Sequence, residues 1–379
     1  MPSSRDRLPS LTGLRFWAAL LVVLYHLSRQ VGTLPVVSDV AWYGRSGVTF
    51  FFVLSGFVLA WTYDGSRVPA KVFMWRRFAR IWPMLVLSTG LSVAAWVIMD
   101  HPVSRKAVAA TLLAVNAWIP EPVYSAGGNP AAWSLSDEAW FYLIFPVLLA
   151  ALSRRRSTSW VATAVLVSVG AIALWLASPS LPQDVRGWAL DYFPVTRSLQ
   201  FVLGVVAGLA VKRGWRPPVR LLPAVLLVIC WHLVLVPWHE AVPDSQWYSP
   251  YTASQLLSAP LFAALICAAA RADQEGRRTG LTGRWSIRLG HWSFAWYLVH
   301  EIVIRLVVYT GGKPVSGWAT LAVWALVIGV SLAAAGLCYS YVERPAERLL
   351  RNLGPSAVPA AAASARPVAR NGTAGVGRG

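Results

Sequence analysis

Charge is scarce in this chain. Of its 379 residues only 13% are charged and only 16 are acidic, whereas a soluble globular domain is about 25% charged. With 56% of the residues hydrophobic and 21 of them Trp, that shortage excludes a water-soluble fold and leaves a polytopic membrane protein. Cysteine is nearly absent. Cys230, Cys267 and Cys338 fall in apolar segments at no metal-ligating spacing, and three thiols cannot all pair, so they read as small core residues and no metal site is expected. No small-residue cleavage site follows the first apolar run, which argues against a secretory leader. Internal repeats and a second soluble domain are also missing. The net charge of +18 does not mark nucleic-acid binding, although a basic balance is its usual footprint. The basic residues sit in short clusters between apolar runs, as cytoplasmic loops do.

A membrane span needs about 20 apolar residues, and the sequence offers ten, roughly 12–30, 46–63, 81–99, 138–152, 158–177, 195–211, 219–237, 252–270, 289–309 and 317–341. Ten spans put Arg5 and Arg7, the Arg67 to Arg80 group, Arg154 to Arg156, the Lys212 to Arg220 group, the Arg271 to Arg288 group, and Arg344 to Arg351 all on one side. That side is the expected cytoplasm, with both termini in it. Glu121, Asp184, Glu240 and Asp244 then face outward. Residues 107–119 form a shorter apolar run, read as re-entrant or interfacial, since a full span there would move "SRRRS" outside. The fold expected is an all-α bundle of about ten transmembrane helices enclosing an intramembrane cavity. Residues 8–350 are its membrane domain. Residues 351–379 form a disordered cytoplasmic tail, because "GPSAVPAAAASARPVARNGTAGVGRG" lacks the apolar periodicity needed to offset its ordering entropy.

Ionisable residues inside such spans are costly and therefore informative. "LTGLRFWAALLVVLYHL" carries Arg15 and His26 eleven positions apart. At 100° per residue they share one helix face, with a rise of roughly 16 Å between them. Arg15 alone reads as a snorkelling anchor, and His26 alone as a helix-to-helix hydrogen bond. "FMWRRFARIWP" sets Arg76, Arg77 and Arg80 at a helix start, where fork-shaped guanidiniums suit phosphate but also suit topology alone. In "AAWSLSDEAWFYLIFP", Ser134 and Asp137 resemble a capping box that opens a helix on the outer side. Glu138 then lies at the depth of His26, with Tyr142 one turn on. A carboxylate beside an imidazole in a dry cavity makes a general base with its orienting partner. Arg197, Arg305, and the adjacent pair His300 and Glu301 complete the set; the pair points about 100° apart, leaving one of the two open to lipid or the interface. The glycines of "FFFVLSGFVLAW" and "LGVVAG" are expected close-packing positions.

Taken in order, these segments resemble the membrane acyltransferase 3 family, multi-span enzymes that O-acylate bacterial surface glycans and some macrolides. "LTGLRFWAALLVVLYH" is similar to the family's opening helix, "GVTFFFVLSGFVL" to its second span, "RRFARIWP" to its basic loop and "WSLSDEAWFYLIFP" to its Trp-Ser-Leu-x-x-Glu pattern. "FPVTRSLQFVLG", "LGHWSFAWYLVHEIVI" and "YVERPAERL" follow as its later motifs. Gln200 stands where many members have an acid, and the second hydrophilic domain of some members is absent.

The resemblance implies acyl-CoA, most simply acetyl-CoA, as a donor substrate, with no permanently bound cofactor. Its nucleotide end is expected on Arg15, Arg76, Arg77 and Arg80, with the pantetheine arm running toward His26. His26 is the expected base and Glu138 its orienting carboxylate. Trp133, Arg197, Tyr297 and His300 are the expected substrate-binding residues. No Ser or Cys is visibly paired with a base, so direct transfer to a hydroxyl of a glycan or macrolide is expected over an acyl-enzyme. The alternative is a transporter or flippase using the same buried groups, against which stands the lack of inverted repeats.

Overall fold

The computed structural model describes residues 7–155, 157–242, 250–314 and 317–355. Arg5, Arg156, Asp244 and the expected tail from 356 onward lie outside the described residues. The described chain contains no strand. Its α-helices are α1 (Pro9–Gln30), α2 (Val37–Ala41), α3 (Ser46–Tyr63), α4 (Ala70–Ile98), α5 (Arg105–Leu112), α6 (Pro122–Ala126), α7 (Trp133–Ser153) and α8 (Ser157–Ala177). The second half adds α9 (Gln183–Asp191), α10 (Pro194–Lys212), α11 (Leu221–Ala241), α12 (Pro250–Leu257), α13 (Ala259–Gln274), α14 (Arg284–Gly311), α15 (Gly317–Cys338) and α16 (Arg344–Leu353). Among the described residues nine helices are long and apolar enough to cross a membrane, and α12 with α13, bent by 40°, makes a tenth if the pair is one span. The bend has a local cause. Pro260 opens α13, and a proline there can neither donate a backbone hydrogen bond to the preceding turn nor avoid its carbonyl.

Residues 107–119 do not span. They are divided between the eight-residue α5 and a short 3₁₀ turn at Asn116–Trp118, far below the length a bilayer demands. At the other end, α16 runs through Leu353, so the helical region extends past the expected boundary at residue 350. The thiols are not alike: Cys267 is buried but Cys230 is exposed on α11, a helix whose side chains mostly face outward.

Three helices set the frame of the bundle. α1 lies against α14, with the Gly290 position pressed on the Thr12 carbonyl, and the two run parallel, so that His26 and His300 meet one end further on. α3 and α10 touch backbone to backbone: a Cβ added at Gly204 would collide with the Val53 carbonyl, and one at Gly56 with that of Phe201. In lipid, where apolar burial gives helices little reason to associate, such close approach is what holds them. Gly204→Leu is therefore expected to abolish monodisperse protein in detergent. Gly170→Leu is not, because nothing lies within 4 Å of a Cβ at that position. Size-exclusion chromatography of the two variants checks this. Above the contact, aromatic rings fill the core: Phe141 stacks on Phe201 at 4.7 Å and meets Phe52 edge-on at 5.1 Å.

Candidate active site

Between α1, α3, α4, α7 and α14 lies a cavity of about 360 Å³. Its wall is mostly apolar, but Arg15, Arg77, Arg80, Glu138, Tyr142 and Tyr297 all reach it. Periodicity explains which arginines do. Arg77 and Arg80 are three residues apart and share a face of α4, whereas Arg76 is turned about 100° from Arg77. Arg76, grouped with them from sequence, does not line the cavity.

The arginines differ in how far the protein already occupies them. Arg80 bonds Glu343 and, at 3.2 Å, Glu347, and lies over the Phe294 ring. Glu343 belongs to a π-helical turn, Tyr339–Glu343, that leads into α16, and Trp75 of α4 donates to the Leu350 carbonyl at 2.6 Å. Helix α16 and the turn before it are thus strapped to the Arg80 helix. Arg77 is held by aromatic faces, 5.8 Å from the rings of Tyr63, Phe73 and Tyr142, and its Nε has no protein partner among the described residues. Arg77 and Arg15 are therefore the cations most open to an anion entering the cavity.

Glu138 is not beside His26. Its carboxylate accepts from Tyr142 at 3.1 Å, and its charged neighbours are Arg15, Arg80 and Arg77. The reason lies in the segment before α7. No side-chain cap starts that helix, and Ser134 bonds back to the Ala131 carbonyl at 3.3 Å instead. Asn129, fully buried, donates to the Leu298 carbonyl in the middle of α14 at 2.9 Å. The chain thus dips into the bundle before α7 begins, and the helix then descends toward the Arg15 end. Five residues from Trp133 to Glu138 carry the carboxylate about 7 Å in that direction.

The carboxylate that does face His26 is Glu301, with Oε2 3.9 Å from His26 Nδ1. Gln30 joins them: its Nε2 lies 3.1 Å from His26 Nδ1 and 3.3 Å from Glu301 Oε1. Arg305 caps the same carboxylate at 2.7 Å. The His26 and His300 rings are 5.1 Å apart. Both His300 and Glu301 are buried, so neither faces lipid as their 100° separation suggested; α14 packs against α1, α4 and α15. Tyr297 links this group to the cavity, lining the one and standing 6.0 Å from the His300 ring.

Trp133 and Arg197 lie together but away from the cavity wall. Arg197 is buried, spends Nε and Nη2 on the Asp191 carbonyl at 2.9 and 2.7 Å, and reaches Gln255 at 3.0 Å. Its guanidinium sits 5.8 Å over the Trp133 ring, and Asp137 is its buried acidic neighbour. Gln200, in the position where an acid was expected, donates to the Gln255 carbonyl at 2.7 Å. Together they brace α10 against α12.

Two groups escaped the sequence reading. Arg45 pairs with Asp191 at 3.1 Å and bonds Tyr251, joining the α2–α3 connection to α9 and α12. Ser46 lies 2.8 Å from His232 Nε2, while His232 Nδ1 donates to the Val228 carbonyl at 2.8 Å. A serine is thus paired with an imidazole after all, but Ser46 is fully buried and off the cavity wall, so the pair ties α11 to the start of α3. Partners so distant in sequence leave no local signal.

The family model described as an acyltransferase domain matches residues 8–340. The chain belongs to that family. Among curated proteins, Acyltransferase MdmB of Streptomyces mycarofaciens is 35% identical, over 94% of this chain and 96% of its own length. Putative peptidoglycan O-acetyltransferase YrhL of Bacillus subtilis is 26% identical over 89% of this chain, which spans 54% of that longer protein. Peptidoglycan O-acetyltransferase OatA of Listeria monocytogenes is 28% identical over 47% of this chain and 30% of its own. No solved structure matches. In this multi-pass membrane acyltransferase, then, a cationic cavity at one end of α1 and an imidazole pair at the other are joined through Tyr297.

Proposed function

We propose that the protein moves an acyl group, acetyl by default, from acyl-CoA to a hydroxyl of a carbohydrate or of a glycosylated or macrolide natural product. The observation that carries this reading is the two-ended site. Arg15 and Arg77 offer guanidiniums to the phosphates of the donor, and the mostly apolar cavity takes the uncharged arm. The roughly 16 Å rise from Arg15 to His26 along α1 gives that arm its track. Glu138, placed among the arginines, belongs in this reading to the donor end, where its negative charge offsets the mutual repulsion of the guanidiniums. At the far end the hydroxyl oxygen attacks the thioester carbonyl, the carbon–sulfur bond breaks, and the hydroxyl proton passes through the imidazole group to the departing thiolate. His26 is catalytic there, with Glu301 rather than Glu138 to balance the positive charge that forms. The energetic benefit comes from holding donor and hydroxyl together away from bulk water. The protein sits in the cell membrane with the Arg15 end and both termini cytoplasmic, in accord with the distribution of basic loops.

The relatives support the reaction class and, by their printed names, O-acetylation. The test is binding and cleavage of acetyl-CoA by the purified protein in detergent. Saturable binding with slow release of free CoA is expected. No binding would return the ionisable column from Arg15 to Arg305 to the alternative reading, a transporter or flippase pathway, and vesicle uptake assays would decide it.

A further inference from the structure

The hydrogen bonds around the two imidazoles define which nitrogen carries the proton on each. A carboxylate only accepts, so the Gln30 nitrogen that reaches Glu301 Oε1 is donating, and the same amide nitrogen presents its second hydrogen to His26 Nδ1. Neutral His26 therefore keeps its proton on Nε2. A backbone carbonyl also only accepts, so His300 Nδ1, 3.2 Å from the Trp296 carbonyl, is the protonated nitrogen of that ring. His300 Nε2 is left as a bare lone pair. It is buried, and no protein group among the described residues bonds it. An unfilled buried acceptor is destabilising, a cost that a fold tolerates where a ligand supplies the missing donor.

We infer that His300 is a second catalytic residue, the base that receives the acceptor's hydroxyl proton at Nε2, while His26 serves as hydrogen-bond donor through Nε2–H. This rests on the acyltransferase reading and reverses the role expected for His26 from sequence. In the step, the hydroxyl donates to His300 Nε2 as its oxygen bonds the thioester carbon. The proton moves to His300, the carbonyl oxygen takes up negative charge and is held by His26 Nε2–H, and the tetrahedral centre then expels the CoA thiolate. The thiolate takes the proton from the His300 imidazolium and leaves as the free thiol. Glu301, next in sequence to His300 and 3.9 Å from His26, balances the charge while it exists. Tyr297, one turn earlier on α14 and part of the cavity wall, is the partition the acyl end passes to reach the pair. A lone pair on one ring and an N–H on the other, across two rings that do not bond each other, is the arrangement that a hydroxyl and an oxyanion need at the same moment.

Glutamine separates the roles, since its amide can donate a hydrogen bond but cannot take a proton. CoA release from acetyl-CoA is measured with glycerol as the hydroxyl acceptor, on variants whose folding is checked by size exclusion. His26→Gln is expected to turn over at least tenfold faster than His26→Ala, whereas His300→Gln is as inactive as His300→Ala. Near wild-type release by His300→Gln, or a surviving His300→Gln beside a dead His26→Gln, overturns the assignment. In the unmutated protein, ¹⁵N imidazole spectra should show a bare Nε2 on the signal that His300→Gln removes; a protonated Nε2 there also overturns it. Absence of CoA release from wild type instead removes the acyltransferase reading itself.

Discussion

Replacing His26 by Ala is expected to lower acyl transfer at least about 100-fold, the range in which removing a proton-transfer group or an oxyanion donor is felt, and to leave acetyl-CoA affinity unchanged. The separation of the two effects follows from geometry. His26 is roughly 16 Å along α1 from Arg15, and its contacts include the Tyr25 ring, Gln30, Glu301 and the His300 ring; none of these lines the cavity in which the donor's phosphates are proposed to sit. Glu138→Gln should behave in the opposite way. Removing that carboxylate unbalances Arg15, Arg77 and Arg80, so donor affinity should change while turnover at saturation stays close to wild type. Calorimetric acetyl-CoA binding beside CoA release under saturating donor distinguishes the two. An unchanged turnover in His26→Ala would remove the imidazole from the reaction, and a collapse of turnover in Glu138→Gln at full occupancy would return that carboxylate to the chemistry.

The second large effect is expected on stability. Glu343→Ala should cost about 3 kcal/mol, the lower end of what is lost when one partner of a buried ion pair is deleted. Glu343 is 1% exposed, and its partner Arg80 retains only 23% side-chain exposure. Without Glu343 the guanidinium keeps Glu347 at 3.2 Å, which is why the lower end applies. The loss should reach beyond the pair, because the same contact docks α16 against α4 beside the bond from Trp75 to the Leu350 carbonyl. Arg80→Leu combined with Glu343→Leu should recover much of the stability, since the apolar pair removes both buried charges and Glu347 keeps Arg351 as its partner. Thermal unfolding of both variants in detergent gives the answer: equal damage in the single and the double variant would mean that α16 is held by packing alone.

The span count was legible because it depends only on length and hydropathy, which lipid imposes on each helix separately. The same holds for the non-spanning run at 107–119 and for the pairing of Arg15 with His26 on one face, a matter of helical period. What the sequence does not reach is the relative depth of residues on different helices and the exact facing of neighbours on one. Counting from a helix start at the membrane surface puts Glu138 beside His26, but Asn129 draws that start down to the level of Leu298. Nearness in sequence groups Arg76 with Arg77 and Arg80, and one residue of rotation removes it from the cavity wall.

The amino-acid sequence by itself determined the bundle, the family motifs and the list of ionisable residues to be explained, since each depends on composition, order or helical period within one segment. Only the tertiary structure decided their partners: Glu301 for His26, Glu343 for Arg80, His232 for Ser46. Those pairs join residues 275, 263 and 186 positions apart respectively, and neither periodicity nor propensity reaches across such distances. In lipid a buried charge must find some partner, but which one it finds depends on how helices slide against each other, and that is settled by contacts such as Gly204 on Val53.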